Sequence, residues 1–363
     1  MRIPRLKQID KYIIKQFLGT FIFFLSGIML IVVVFDINEK FDKFSVPEVT
    51  LNEIVYDYYA NFIPYFASAF ASLFTFMSVI FFTSRLADRS EIIAMLSTGL
   101  SFERLMSPYI ISAGIIALSM FTLSAYIIPP ANEKRINFEH KYIKKAQKVE
   151  TGRNILLEVE PGIIAYFDQY TNSSRMGYRF SLDRFEGKTL KSRLTANSIK
   201  YDTLNNWTII DYIIRDFDGM EEKLSSGTRM DTTLMFVPSD FLISDSDCET
   251  MTSPELARYI DRQKKRGIGN IQMFEIEYHR RIANAFSFFI LTVIGVALSS
   301  YKKKGGMGLN IGIGLGLIFS YILFSTITSS FAISGLVSPM IASWFPNILY
   351  FFIAVYLYYK APR

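Results

Sequence analysis

Few side chains in this sequence could do chemistry, and their spacing excludes most of it. His140 and His279 are the only histidines and Cys248 the only cysteine. A histidine-based metal cluster, a multi-cysteine zinc or redox site and an intrachain disulfide are therefore not expected. Gly187-Lys188-Thr189 has the end of a phosphate-binding loop, but Leu182 stands where the leading glycine belongs, so a β-turn is expected there. Gly312-Ile313-Gly314-Leu315-Gly316 has the spacing of a dinucleotide loop but lies inside an apolar run. There Gly308, Gly312 and Gly316 repeat every four residues along one helix face. Such a small-residue stripe permits close helix approach, within the chain or against a sister subunit. Lys40 and Lys43 lie just past the first apolar run. They either snorkel toward water or meet phosphates on an amphiphilic substrate leaving the membrane. No enzyme activity, cofactor, metal or nucleic-acid partner is expected.

Half of the residues are hydrophobic, with 33 Phe and 21 Tyr. The apolar residues gather into six runs, 17–35, 64–82, 109–128, 282–300, 309–330 and 340–358. Each nears the roughly 20 residues a helix needs to cross about 30 Å of hydrocarbon. No Asp, Glu, Lys, Arg or His falls inside any of them. Ion-coupled carriers usually place ionisable groups at membrane depth. Their absence argues that the energy for any transport comes from elsewhere.

The most informative polar stretch lies between the second and third runs, at residues 83–108. It carries Arg85, Asp88, Arg89, Glu91, Glu103 and Arg104, and Leu86, Ile92, Ile93, Met95 and Leu96 give it an apolar side. A helix over about 84–99 is predicted, stopped by Gly99, with Ser101 capping the next one. It is either an amphipathic helix resting on the membrane surface or a docking helix through which a soluble motor pushes on the membrane part.

From about residue 131 the chain turns polar. After a charged helix over 132–149, strand-like runs at 155–159, 163–166, 178–185, 194–201, 207–217 and 228–236 alternate with Gly-, Asn- and Ser-rich turns. They predict a small antiparallel sandwich or an open jelly roll. Pro129-Pro130 should end the third span. Ser253-Pro254-Glu255 should start a helix ended by Gly267 and Gly269. Arg2, Arg5, Lys7, Lys11 and Lys15 near the N-terminus, the segment at 83–108, the Lys302-Lys303-Lys304 turn and Lys360 and Arg363 all fall on one side of the spans. That side is expected to be cytoplasmic. The predicted domains are 1–130 for spans one to three with the coupling helix, 131–273 for the extracytoplasmic β domain with its flanking helices, and 274–363 for spans four to six.

This pattern resembles a known family, the paired F and G permease subunits of the bacterial lipopolysaccharide-export ABC transporter. Arg85-Leu86-Ala87-Asp88-Arg89-Ser90-Glu91-Ile92-Ile93-Ala94 followed by Thr98-Gly99-Leu100-Ser101 is similar to its cytoplasmic coupling helix. Lys303-Lys304-Gly305-Gly306-Met307-Gly308 and Trp344-Phe345-Pro346-Asn347 also match, as does the layout of three spans, a β domain and three spans. The resemblance covers essentially the whole chain and is weakest in the β domain. It implies an α-helical polytopic membrane protein of the bacterial inner membrane with six transmembrane helices. A periplasmic all-β, jelly-roll-like domain is inserted between the third and fourth. It further implies a heterodimer with a paralogous permease, a homodimeric cytoplasmic ATPase, a single-span periplasmic bridge protein, and lipopolysaccharide as substrate. Glu91 then takes the role of the coupling-helix acid, with Arg85, Asp88, Arg89, Ile92 and Met95 around it. Lys40 corresponds to a substrate-facing lysine of the G member, with Lys43 nearby. The run from Asp36 to Lys43 is closer to G than to F. Ala285 departs from the family, which often has proline near the start of the fourth span. Two other readings stay open on the residues alone: an ATP-driven mechanotransmission protein that carries no lipid, and a membrane scaffold without energy coupling.

Overall fold

The computed structural model describes residues 7–143, 151–203, 205–219, 221–238, 241–242, 245–265, 271–301 and 306–361. Arg2, Arg5, Gly267, Gly269, Lys302, Lys303, Lys304, Gly305 and Arg363 lie outside the described residues. The chain divides into two compact units, one of residues 1–144, 249–253 and 272–363 and one of residues 145–248 and 254–271.

The first unit is helical. Its α1, Gln8–Phe44, starts where the Lys7 N–H donates to the Asp10 carboxylate at 2.7 Å, an acid in the first turn facing the positive end of the helix. At 37 residues it is about 55 Å long, far more than the hydrocarbon needs. Residues 36–62, which follow the first apolar run, are mostly helical. A π-helical stretch, Glu53–Tyr59, leads directly into α2, Ala60–Asp88. The short α3, Glu91–Ser97, is followed by α4, Phe102–Thr122, a π-helical turn at Leu123–Ile127, and α5, Ile128–Phe138.

Pro129 and Pro130 therefore do not end the third span. They occupy the first turn of α5, where a missing N–H leaves no bond unmade, and the wider π turn before them relieves the ring clash. After the inserted unit, which holds α6 (Ser253–Lys265), come α7, Gln272–Ser299, α8, Gly306–Ile333, and α9, Pro339–Lys360. Six helical segments are long and apolar enough to cross a membrane.

The middle of the bundle is α7. In its most apolar window 61% of residues are buried, against 17% for α1 and for α8, so those two keep most of their apolar surface open. Gly295 lets α7 meet α2: a Cβ there would lie 2.7 Å from Val79 Cγ1. Polar side chains tie the spans together. Asn347 donates to the Ala283 carbonyl at 2.7 Å and accepts from the Tyr321 hydroxyl at 2.9 Å. Asn310 donates to Ser84 Oγ at 3.1 Å. Pro346, inside α9, cannot bond the Ala342 carbonyl, and the Thr328 hydroxyl of α8 takes its place at 2.9 Å.

The second unit is a sheet of six antiparallel strands in sequential order: β1 Thr151–Glu160, β2 Ile163–Thr171, β3 Met176–Glu186, β4 Thr189–Tyr201, β5 Asn206–Asp218 and β6 Glu221–Thr233. All six predicted strands are present, and most run longer than their apolar cores. Gly187, at φ 64°, turns β3 into β4, so Gly187-Lys188-Thr189 is the β-turn expected. Phe167, Phe180, Ile199, Trp207, Ile209 and Phe236 make the core, and Trp207 Nε1 donates to the Phe236 carbonyl at 3.1 Å. The helix α6, Ser253–Lys265, begins at the predicted Ser-Pro-Glu start.

Candidate functional site

At one end of the bundle α2 breaks into α3. Ser90, a non-glycine residue at φ 60°, makes the break, so Arg85 and Asp88 belong to the last turns of α2 and Glu91 opens α3. Gly99 at φ 87° stops α3, and its N–H bonds the Leu96 carbonyl at 3.0 Å. Ser101 then caps α4, accepting from the Arg104 N–H at 3.3 Å. One coupling helix over 84–99 is therefore, in structure, a helix end, a kink and a seven-residue helix.

Ile92 is fully buried, in the same core as Leu86, Phe102 and Leu105. It is the pin that seats α3 on the bundle and has no surface left for a partner. Arg85, Asp88, Arg89 and Ile93 are exposed, while Glu91 and Met95 are partly exposed. A nearby contact went unread in the sequence: Arg104 bonds Asp10 at 2.5 Å and staples the start of α4 to the start of α1. The signal was present, since Asp10 is the one acid among the N-terminal basic residues.

At the other end Lys40 is folded into the chain rather than held out. Its ammonium lies 2.6 Å from Asp36 Oδ1, donates to the Tyr58 hydroxyl, and sits 4.9 Å from the centre of that ring. Asp36 also accepts from Tyr58 at 3.1 Å and Tyr59 at 3.0 Å. Lys43 is exposed. Sequence reasoning grouped the two lysines, and the structure separates them.

A second polar cluster sits at that same end. Arg281, 4% exposed, bonds Glu277 at 2.8 Å, the Met251 carbonyl at 3.0 Å and Ser253 Oγ at 3.1 Å. Arg280 bonds the other Glu277 oxygen. Glu249 accepts from the Tyr65 hydroxyl at 2.9 Å and from Asn132 at 3.3 Å, and the Arg135 guanidinium lies 4.8 Å over the Tyr65 ring. A cavity of about 350 Å³ opens among α2, α4, α7 and α8, with Glu249, Glu277, Arg280 and Arg281 in its wall. Glu277, Arg280 and Arg281 carry the i, i+3 and i, i+4 spacing that makes helical ion pairs. The partners of Arg281 at Met251 and Ser253 lie some thirty residues away, so the spacing shows only its pairing with Glu277.

Gly308, Gly312 and Gly316 have no atom within 4 Å of a hypothetical Cβ, so the stripe packs against nothing among the described residues. Gly314, on the other face of α8, is the residue pressed against Ile80. Among the described residues no group of His, Cys, Asp or Glu could hold a metal.

Six membrane-length helices, a sheet inserted between the third and the fourth, and charge gathered at the helix ends define a multi-pass membrane protein. The sequence model of the lipopolysaccharide export system permease LptF/LptG family matches residues 11–360, and the chain belongs to that family. At family level it is thus an inner-membrane permease of lipopolysaccharide export. No curated protein sequence matches the chain.

Proposed function

We propose that this chain is the permease subunit that extracts lipopolysaccharide from the inner membrane and passes it to a periplasmic β-sheet bridge leading toward the outer membrane. In this reading the α3 end is cytoplasmic and the β unit periplasmic. Hydrolysis is done by a separate homodimeric ATPase docked on α3. A paralogous permease completes the cavity, and a single-span bridge protein stands alongside. The observation that carries it is the construction of α3: a short helix pinned by Ile92 with Arg85, Asp88, Arg89, Glu91 and Met95 left at the surface. A helix seated that firmly transmits a push to α2 and α4 instead of absorbing it. The open faces of α1 and α8, the latter carrying Gly308, Gly312 and Gly316, suit a sister subunit. Lys43 is the exposed candidate for a substrate phosphate, since Lys40 is taken up by Asp36 and Tyr58.

The test uses the complex extracted in mild detergent. Glu91→Ala leaves insertion and folding intact and lowers ATPase association and coupled lipid release. Ile92→Asn fails earlier, through loss of the folded permease. Export unchanged in Glu91→Ala would remove the docking role. Mass spectrometry of the intact complex separates the readings, because an ATPase with no lipopolysaccharide indicates mechanotransmission and neither one indicates a scaffold.

A further inference from the structure

Arg104 stands at the unfavourable end of its helix. It is the third residue of α4, where the aligned peptide dipoles already place positive charge. The first turn is capped without its side chain, since Ser101 Oγ accepts from the Arg104 backbone N–H. The guanidinium reaches Asp10 instead, 94 positions earlier, at 2.5 Å. Asp10 is 3% exposed, and its Oδ2 accepts from both Arg104 and the Lys7 N–H. One carboxylate oxygen thus joins the first turn of α1 to the first turn of α4. Among the described residues this is the one ion pair that holds α1 to another helix.

Such a link matters more to α1 than to most of the spans. Only 17% of its most apolar window is buried, against 44% in the span that holds α2 and 61% in α7. Its other contacts at this end are apolar or aromatic. Ile13 and Phe17 share a core with Ile92, Phe102 and Leu105, and the Phe17 ring lies 6.0 Å from that of Tyr109. Hydrophobic contact is non-directional, so it holds a helix against a core without fixing where along its axis the helix stands. A charge-assisted bond to a guanidinium does fix that position. Ile92 seats α3 in the same core, and only Thr98 to Ser101 separate α3 from α4. A displacement of α3 therefore reaches Arg104 within a few residues. The continuous helix of 37 residues then carries it to the far end of α1, where Asp36 accepts from Tyr58 and Tyr59.

We propose that Asp10 and Arg104 form a positioning link that makes α1 follow α3. The push of a partner docked at α3 is then delivered through α1 as well as through α2 and α4. The proposal rests on the reading of α3 as the docking helix.

The test uses the whole complex with its ATPase in proteoliposomes and reads lipid released per ATP hydrolysed. A merely structural fault lowers the active fraction, which reduces release and hydrolysis together and leaves their ratio unchanged. Arg104→Gln keeps most of the stem and removes the charge. It should retain ATPase association and hydrolysis while lowering lipid released per ATP about fivefold, and Asp10→Asn should do the same. The charge-swapped double variant Asp10→Arg/Arg104→Asp should recover at least half of the parental ratio. Spin labels at Asn38→Cys on α1 and Leu336→Cys in the α8–α9 turn, both exposed positions, read the movement itself in a Cys248→Ala background. ATP should shift their separation in the parent and not in Arg104→Gln. Should Arg104→Gln fail to assemble, the swapped variant decides: recovery supports the link, and a ratio as low as in Asp10→Asn overturns it. An unchanged ratio in both single variants, no shift in the parent, or an equal shift in Arg104→Gln would overturn the link while leaving docking at α3 intact. Absence of the ATPase from the parent complex would remove the docking reading, and the link with it.

Discussion

Asp36 and Lys40 form a pair whose two ends should fail very differently. Their side chains are 9% and 18% exposed, and Asp36 accepts from Lys40, Tyr58 and Tyr59 at once. Asp36→Ala strands an ammonium and two phenols around an emptied acceptor. Breaking a buried pair in this way costs about 3–5 kcal/mol, and the low end applies here because Lys40 keeps the Tyr58 hydroxyl and ring. Lys40→Met removes the charge but keeps the stem, and Asp36 still holds two phenol donors, so about 1–2 kcal/mol is expected. The double variant Asp36→Ala/Lys40→Met should be milder than Asp36→Ala alone, with a coupling of about 2–3 kcal/mol. The assay is thermal melting of the detergent-solubilised protein. At about 2–4 °C per kcal/mol the single aspartate variant melts roughly 6–12 °C below the parent. Equal losses for the two single variants, or strict additivity in the double, would refute the network. The outcome also decides how export data on Lys40 are read, since a variant that loosens α1 lowers export without any substrate contact.

Three further outcomes follow from other parts of the molecule. Gly295→Leu should cost about 1–3 kcal/mol by overpacking against Val79. Gly312→Ala should leave the melting temperature of the lone subunit unchanged and weaken its pairing with a second permease in size-exclusion chromatography. If both act on the lone subunit alike, the stripe on α8 is not an open face. In the β unit, burial pushes the Tyr170 hydroxyl up to about 12 from an ordinary 10.0. The folded state thus keeps its proton where the unfolded state has lost it. The contribution is full below about pH 10 and is lost as pH rises toward 12. Tyr170→Phe, which removes a buried hydroxyl with no partner among the described residues, should be neutral or stabilising and should move the alkaline transition upward. Trp207 fluorescence in a Trp344→Phe background reports it, since the Trp207 ring lies 6.2 Å from Tyr170.

Much of the architecture was legible because it rests on patterns that physics makes local. Hydrocarbon thickness sets run length, so the six spans stood out, and turn residues at fixed φ punctuated the six strands. Ser101, Gly99 and the Ser253-Pro254-Glu255 start act within one helical turn and were readable for the same reason. Pro129-Pro130 misled because a proline pair ends a helix by default, and only the preceding π turn excuses it. The span limits were drawn at the first charge, yet α1 runs on through Asp36 and Lys40. There the two charges neutralise each other at i, i+4 and are covered by rings some twenty residues away. No local pattern announces that.

The same limit explains the sites. Residues that meet a partner in the next turn, such as Glu277 with Arg281, leave a trace in the spacing. Glu249 with Tyr65 does not, because 184 positions separate them. Charge was absent from the six apolar runs but dense just beyond their ends, and the fold uses that edge. On the α3 side it fixes Arg104 to Asp10 beside a helix seated by Ile92. On the opposite side it gathers Asp36, Glu249, Glu277 and Arg281 around the places where the chain leaves the bundle and returns. The helix middles are joined instead by neutral hydrogen bonds, such as Asn310 to Ser84 and Tyr321 to Asn347.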